Sequence, residues 1–263
     1  MSGGPQQRTV AIVQARMGSS RLPGKVMKQL GPKTVLAHCL DRCKAIANVD
    51  EVVCATVDTP DCDPIAIEAE RLGCSVFRGD EADVLSRYVG AAGAAKADVV
   101  LRVTSDCPVI DPEVCGAVVD AMLRHEADFA TNNAPPSFPH GMDVEVVRAK
   151  VLEAAWTNAP CAHDREHVMP AVRRNPALKK LNMHAEGVPG AETLRWTLDT
   201  PEDLAFFERL MHAVPDLPDR RWRELVDICN AAPDLMRQNP HVDQDTRQRV
   251  FEGFEQIACQ ARA

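Results

Sequence analysis

The feature that most constrains the fold is the alternation of strand and helix patterns along the first half of the chain. Short apolar and β-branched runs predict buried strands over 9–14, 51–56, 74–77 and 99–103. Between them, apolar residues recur at helical spacing, first over 35–46. Because parallel strands joined by helices need cover on both faces, this order predicts an α/β fold: a mainly parallel sheet in a three-layer arrangement.

The pattern becomes less regular beyond residue 130. A loop is predicted over 131–140, which contains two asparagines and three prolines. Strands are predicted over 142–147 and 194–198, and a helix over 163–174. No linker composition or internal repeat interrupts the chain. We therefore expect a single domain over 1–240 with a decorated second half.

The last part of the chain is predicted to be a C-terminal helical tail over 241–263. Its evidence is one apolar stripe at helical spacing, formed by Val250, Phe251, Phe254 and Ile257. Such a stripe is expected to pack on the body of its own chain.

Composition narrows the class of function. Of 263 residues, 38 are acidic and 30 are Lys or Arg, so the formal net charge is −8. This charge disfavours nucleic acid as a partner but allows a small anion bound by local cations. No apolar run approaches the roughly 18 residues of a membrane helix. The 10 scattered cysteines and the polar start predict reduced thiols in a cytoplasmic protein.

A basic loop over 14–25 follows the first predicted strand. It combines two glycines and two serines with Arg16, Arg21 and Lys25. Glycines let backbone N–H groups face an anion, and the cations neutralise its charge. A solvated basic loop is the alternative, but its position at the carboxyl end of a first strand favours ligand binding. Its glycine spacing fits neither the P-loop nor the dinucleotide fingerprint.

Two aspartates follow predicted strands. Asp106 comes just after the strand over 99–103, and Asp199 just after the strand over 194–198. Carboxylates at the ends of two strands can converge on one Mg²⁺ ion. Alternatively, Asp106 serves its own turn and Asp199 assists a helix start, although Thr200 is the better-placed cap.

One segment matches a zinc pattern. His163, Glu166 and His167 spell H-x-x-E-H, but the pattern defines no third ligand here. A structural ion pair between Arg165 and Glu166 is the stronger expectation.

The basic loop also carries a resemblance to a known family. Its residues are Ala15-Arg16-Met17-Gly18-Ser19-Ser20-Arg21-Leu22-Pro23-Gly24-Lys25. This run resembles the signature of the CMP-sugar cytidylyltransferases, the enzymes that activate acylneuraminates and KDO (3-deoxy-manno-octulosonate). The branch it most resembles is the spore-coat polysaccharide biosynthesis protein F type. The resemblance continues, in the family's order, at 83–88, 102–108, 141–145, 164–168 and 195–204.

The resemblance implies the nucleotide-diphospho-sugar transferase (Rossmann-like) fold and a Mg²⁺-dependent reaction. CTP and a sugar acid would give a CMP-sugar and pyrophosphate, in surface polysaccharide or glycoconjugate biosynthesis. It also implies a homodimer, while the net charge and the lack of a long apolar run predict no nucleic acid or membrane partner.

The resemblance also assigns individual residues to the site. Nucleotide contacts would come from Ala15, Arg16, Gly18, Ser19, Arg21, Lys25 and Ser105. Thr56 and Asp58 are added as base or ribose contacts by their position after the second strand. Asp106 and Asp199 would hold the metal and, with Arg16 and Lys25, form the catalytic set. Acceptor contacts would come from Arg87, Asp143, Glu145, Arg165 and His167.

Simpler interpretations stay open for some of these residues. Arg87 is otherwise an exposed helix cation. Asp143 and Glu145, which alternate along one predicted strand, otherwise face solvent.

Two other functions stay open. A glycosyltransferase on the same fold would take a sugar from a nucleotide donor and often uses a D-x-D motif. Asp61-Cys62-Asp63 spells this motif but resembles a helix start. The third option is a non-catalytic nucleotide-binding regulator.

Overall fold

The structure, a computed structural model, describes residues 7–159, 161–232 and 253–259. In these residues eight strands form one sheet in the order β10-β9-β7-β8-β6-β1-β4-β5. Its strands are β1 Thr9–Gln14, β4 Glu51–Val57, β5 Ser75–Gly79, β6 Val99–Thr104, β7 Phe129–Thr131, β8 Glu145–Arg148, β9 Lys180–His184 and β10 Phe254–Ala258. A separate hairpin pairs β2 Gln29–Leu30 with β3 Lys33–Thr34.

The helices connect these strands and cover both faces of the sheet. They are α1 Val35–Lys44, α2 Asp63–Arg71, α3 Val84–Ala94, α4 Pro112–Arg124, α5 Ala149–Thr157, α6 Ala162–His167, α7 Pro170–Arg174, α8 Pro201–Ala213 and α9 Trp222–Ala231. The four strands β6, β1, β4 and β5 pair in parallel. The mainly parallel α/β prediction is confirmed.

Strand β1 lies at the centre and is buried on both sides. Val10 and Ile12 pack in a cluster with α3, α5 and α7, while Ala11 and Val13 pack with α1, α2 and α4. Alternate residues of a strand point to opposite faces, so this run must be apolar at every position. These two clusters make the predicted three layers.

The second half adds an antiparallel strand to the sheet. Strand β8 pairs antiparallel with both β6 and β7, and β9 then runs parallel to β7. The predicted strand over 142–147 begins only at Glu145. The predicted strand over 194–198 is extended chain with a single bridge, between His140 and Arg195. Gly141 permits this contact, because a Cβ there would lie 2.4 Å from the Trp196 carbonyl oxygen.

The predicted helix over 163–174 is interrupted at Val168. Helix α6 ends at His167, and Val168 has a φ of 68° and a ψ of −56°. The Met169 N–H donates to the His167 carbonyl at 2.8 Å, which closes a strained γ-turn. Pro170 then starts α7 at a position where no N–H is needed.

The prediction of a helical tail is wrong for the residues that the structure describes near the C-terminus. Phe254–Ala258 form β10, which pairs in parallel with β9, because an apolar stripe of a few residues fits either period. Val250, Phe251 and the rest of the predicted tail lie outside the described residues. The domain boundary near 240 stays a prediction.

Two further findings concern membrane spans and the cysteines. The helices of the described segments are all too short or too polar to cross a membrane. All ten cysteines are described and are free thiols, nine of them buried.

Candidate active site

A cleft of about 300 Å³ opens at the carboxyl ends of β1 and β6. The loop after β1 forms one wall, and the end of α6 contributes to its lining. The lining residues are Gln14, Ala15, Arg16, Gly18, Ser19, Ser20, Arg21, Lys25, Val26, Val84, Arg87, Arg102, Thr104, Ser105, Asp106, Glu166, His167 and Asp199. The basic loop and both strand-end aspartates therefore meet in one cavity.

The basic loop is held in shape by its own backbone and by two buried anchors. Gly24 adopts a φ of 64°, a left-handed conformation that suits glycine, and its N–H donates to the Met17 carbonyl at 3.1 Å. A short 3-10 helix starts immediately afterwards, at Lys25. Leu22 and Val26 are buried below the loop. This anchoring turns the Lys25 side chain into the cleft.

Lys25 joins the two aspartates. Its Nζ donates to Asp106 Oδ2 and to Asp199 Oδ1, each at 2.6 Å. The two carboxylates therefore lie within two hydrogen-bond lengths of each other, although they are far apart in sequence. All three side chains are partly buried, with 14% to 20% of each exposed.

Backbone contacts fix both aspartates in place. The Asp106 carbonyl accepts from the Leu198 N–H at 2.9 Å, which ties the β6 end to the segment before α8. The Asp199 N–H donates to Asp203 Oδ2 at 2.9 Å. Thr200 and Asp203 form the capping box of α8, as its sequence predicts. Since Thr200 is the cap, the Asp199 carboxylate is left to face the cleft.

Cations surround the Asp199 carboxylate. Arg21 lies 3.3 Å and Arg195 3.0 Å from Asp199 Oδ2. Burial by itself raises the pKa of Asp199, but the charges of Lys25, Arg21 and Arg195 outweigh it and lower the pKa to about 2. Burial likewise lowers the pKa of Lys25, and the two carboxylates reverse this and raise it. Lys25 and Asp199 are thus both charged at neutral pH.

The other predicted nucleotide contacts divide into two groups. Ala15, Arg16, Gly18, Ser19 and Ser105 line the cleft, and their roles stay predictions. The remaining two, Thr56 and Asp58, do not line it.

The two outlying residues differ from each other. Thr56 is fully buried and its Oγ1 has no hydrogen-bond partner. Asp58 is exposed, and its backbone N–H donates to the Gly79 carbonyl at 2.9 Å. Their assignment to base or ribose also stays a prediction.

The predicted acceptor residues Arg87 and Arg165 are occupied by protein groups. Arg87 is 2% exposed, so it is no exposed helix cation, and its Nη1 donates to the carbonyls of Asp80 and Glu81. Arg165 pairs with Asp83, the N-cap of α3, so the expected pair with Glu166 is wrong. Both arginines stabilise the loop before α3, and only Arg87 also borders the cleft.

Asp143 and Glu145 do not share a strand face. Asp143 precedes β8 and lies 3.7 Å from the His140 ring. Glu145 is 4% exposed and binds two arginines, Arg102 at 2.5 Å and Arg173 at 2.6 Å. The prediction failed because it treated the strand as starting at residue 142. Neither carboxylate lines the cleft.

His167 faces the cleft at the strained turn. Burial and the nearby His163 lower its pKa, so its ring is neutral at pH 7. The His163 and His167 rings lie 4.4 Å apart. Across the described segments, no three His, Cys, Asp or Glu side chains gather as a metal-binding cluster. The zinc pattern thus acquires no third ligand in these segments.

Several cleft residues escaped the sequence reasoning. Arg102 of β6 projects to the cleft floor beside Gln14, and Glu166 joins His167 in the lining. Arg195, outside the lining, donates to Asp199 Oδ2 at 3.0 Å. Arg102 lies in the segment 102–108, which carries part of the resemblance. A cation inside an otherwise apolar strand is unusual, and this could have indicated a functional residue.

The aspartate pair suits a hard divalent cation. Its two carboxylate oxygens already surround one cation, the Lys25 ammonium. Mg²⁺ prefers one or two carboxylates and completes its shell with phosphate oxygens and water. Asp106 and Asp199 fit that requirement.

Comparison with known proteins agrees with this geometry. A family model described as cytidylyltransferase matches residues 10–230. Spore coat polysaccharide biosynthesis protein SpsF of Bacillus subtilis (strain 168) is 34% identical over 230 residues, 85% of this chain and 94% of that protein. The 3-deoxy-manno-octulosonate cytidylyltransferase of Anaeromyxobacter sp. (strain Fw109-5) is 30% identical over 174 residues, 64% of this chain and 70% of that protein.

A solved structure extends the match to the fold. The cytidylyltransferase from Leptospira borgpetersenii serovar Hardjo-bovis (strain JB197) superposes with a TM-score of 0.84 at 30% identity. The alignment covers 90% of this chain and 99% of that one. The family match spans the basic loop, both aspartates and nearly the whole sheet. The chain belongs to the cytidylyltransferase family, and it is a nucleotidyltransferase.

Proposed function

We propose that this enzyme transfers CMP from CTP to a sugar acid and releases pyrophosphate, with Mg²⁺ as its cofactor. The acceptor oxygen attacks the α-phosphorus in line, and the pyrophosphate leaves on the opposite side. The observation that carries the proposal is the convergence of Lys25, Asp106 and Asp199 beside a basic loop. The names of the two relatives support the class of acceptor and a role in surface polysaccharide biosynthesis.

The protein's part in this reaction is positioning and charge neutralisation. Phosphoryl and nucleotidyl transfer ask for little covalent chemistry from side chains. Arg16, Arg21 and Lys25, with the backbone near Gly18, would hold the triphosphate and stabilise the leaving pyrophosphate. Asp106 and Asp199 would hold Mg²⁺, which supplies Lewis-acid polarisation of the phosphate.

The acceptor would lie where β6 and the end of α6 line the cleft. There Arg102 offers a guanidinium group, and Glu166 and the neutral His167 offer hydrogen-bonding groups. A cation on this wall suits an acidic sugar. We further propose that the enzyme acts in the cytoplasm as a homodimer.

The glycosyltransferase alternative finds no support in the D-x-D segment. Asp63 is the first residue of α2 and pairs with Arg78 at 2.7 Å. Asp61 lies in the preceding 3-10 turn, and neither residue lines the cleft.

The test is pyrophosphate release from each of the four nucleoside triphosphates, with and without a panel of sugar acids that begins with 3-deoxy-manno-octulosonate. We expect release that depends on CTP, on one class of acid and on Mg²⁺. Consumption of a nucleotide sugar without CTP would support a glycosyltransferase. Nucleotide binding without release, across the whole panel, would support a regulator.

A further inference from the structure

Lys25 occupies the position that a divalent cation would take. Its Nζ is 2.6 Å from an oxygen of each aspartate. It is a cation that bridges them, whereas Arg21, from the same loop, contacts Asp199. The side chain is only 14% exposed, so water screens these two contacts weakly.

A divalent ion that enters this site must first displace the ammonium. Displacement leaves a buried positive charge beside the incoming cation, unless another anion accepts it. The basic loop provides the place for such an anion, since Lys25 is its last residue and Arg16 and Arg21 line the same wall. The four-carbon stem lets the ammonium swing from carboxylate to phosphate.

We propose that Lys25 is an internal counter-ion that keeps divalent cations off Asp106 and Asp199 until a triphosphate binds and draws its ammonium away. The inference rests on the proposed function, because it takes the two aspartates as the metal-binding pair. It assigns Lys25 a second task besides phosphate binding. Cation and triphosphate then bind with positive coupling, and the coupling is equal in both directions.

The test measures Mn²⁺ binding to the full-length enzyme without nucleotide, by electron paramagnetic resonance of the free ion. Wild type should bind Mn²⁺ weakly. Lys25→Met should bind it about tenfold or more tightly, because the competing unit charge is gone. Lys25→Gln, which keeps a polar side chain, should behave similarly and covers the case in which the methionine variant does not fold.

Two further variants identify the site that is measured. Adding Asp106→Asn to Lys25→Met should abolish the gained binding. Arg21→Gln is the matched control, because Arg21 contacts Asp199 at 3.3 Å from the same loop but is 62% exposed and does not bridge. It should change Mn²⁺ affinity much less than Lys25→Met does. The melting temperature should also rise with Mn²⁺ in Lys25→Met more than in wild type.

The outcomes separate the two levels of the proposal. Equal, Asp106-dependent Mn²⁺ binding in wild type and Lys25→Met would overturn the counter-ion role and leave the metal site standing. The metal assignment itself would be overturned if no variant bound Mn²⁺ without CTP and if, with CTP present, no more Mn²⁺ was bound than CTP binds by itself. Pyrophosphate release from CTP tests the transferase activity independently of both.

Discussion

Two carboxylates in this enzyme are each held by more than one cation, but in different surroundings. Asp199 meets Lys25, Arg21 and Arg195 at the rim of the cleft. Glu145 of β8 meets Arg102 of β6 and Arg173 of α7, and its side chain is only 6% exposed. Most of the first group borders the cleft, whereas in the second group only Arg102 does.

The two groups differ in whether a ligand can replace the carboxylate as the partner of the cations. Arg173 also donates to Asn133 and stacks over the Phe129 ring, so packing fixes the Glu145 cluster. Lys25 and Arg21 come from a loop that borders the cleft, where a phosphate can replace the carboxylate as their partner. We infer that the rim pairs serve binding and catalysis, whereas the interior cluster serves folding and holds Arg102 in place.

The largest expected effect is on turnover at the rim. Asp106→Asn keeps the side chain's shape but removes the charge that a hard cation needs. Turnover per folded molecule should fall by about 10²-fold or more, since metal stabilisation of a transition state contributes several kcal/mol. Steady-state pyrophosphate release measures it, and Asp227→Asn on the exposed side of α9 is the control. If instead the melting temperature fell strongly and the activity was lost only in proportion to the loss of folded protein, Asp106 would have a structural role.

A substitution in the interior cluster of Glu145, Arg102 and Arg173 should lower the stability of the protein. Glu145→Gln leaves two guanidinium groups without their shared charge partner. We expect the free energy of unfolding to fall by about 2 kcal/mol, below the usual cost of breaking a buried pair because Arg102 reaches the cleft and glutamine still accepts a hydrogen bond. Urea denaturation gives the value. Unchanged stability would erase the contrast between the two regions.

Acid should affect the rim pairs in a defined range. The folded pKa of Asp199, about 2, lies below its unfolded value, so its contribution is complete above about pH 4 and is lost as the pH falls towards 2. The loss should be about 1 to 2 kcal/mol after allowance for solvent screening. Urea unfolding of wild type and Asp199→Asn at several pH values should show their stability difference shift across this range. A difference that stays constant from pH 5 to pH 2 would contradict the assignment.

The smallest expected change in stability is at Arg16. Its side chain is 48% exposed, and its ion pair with Glu81 is long, at 4.0 Å. Arg16→Ala should change the free energy of unfolding by less than about half a kcal/mol, while CTP binds more weakly by calorimetry. The control Arg71→Ala removes an exposed arginine of α2 that does not line the cleft, and it should leave CTP affinity unchanged. Equal CTP affinity in both variants would remove Arg16 from the site.

Local patterns predicted the parts of the site that lie on one continuous stretch of chain. The strand β1, the loop up to Lys25 and the strand before Asp106 are each determined by neighbouring residues. The α8 cap at Thr200 was predicted for the same reason.

Long-range pairings were the part that sequence patterns could not supply. The prediction put Glu145 in the acceptor site, but its partners Arg102 and Arg173 lie on β6 and α7. Val168, at the strained turn, is buried in a cluster with residues of β1 and α3, and β10 pairs with the distant strand β9. A short apolar run such as that around Phe254 and Ile257 does not by itself distinguish helix from strand.

The central claim is that Asp106 and Asp199 act as one unit, and a double-variant measurement tests it most directly. Turnover per folded molecule is measured as pyrophosphate release for Asp106→Asn, Asp199→Asn and the combination, across a Mg²⁺ titration. We predict that the double variant loses much less activity than the product of the two single losses, because both residues act through one ion. Multiplicative losses, or near-normal turnover in either single variant at saturating CTP and Mg²⁺, would contradict the account.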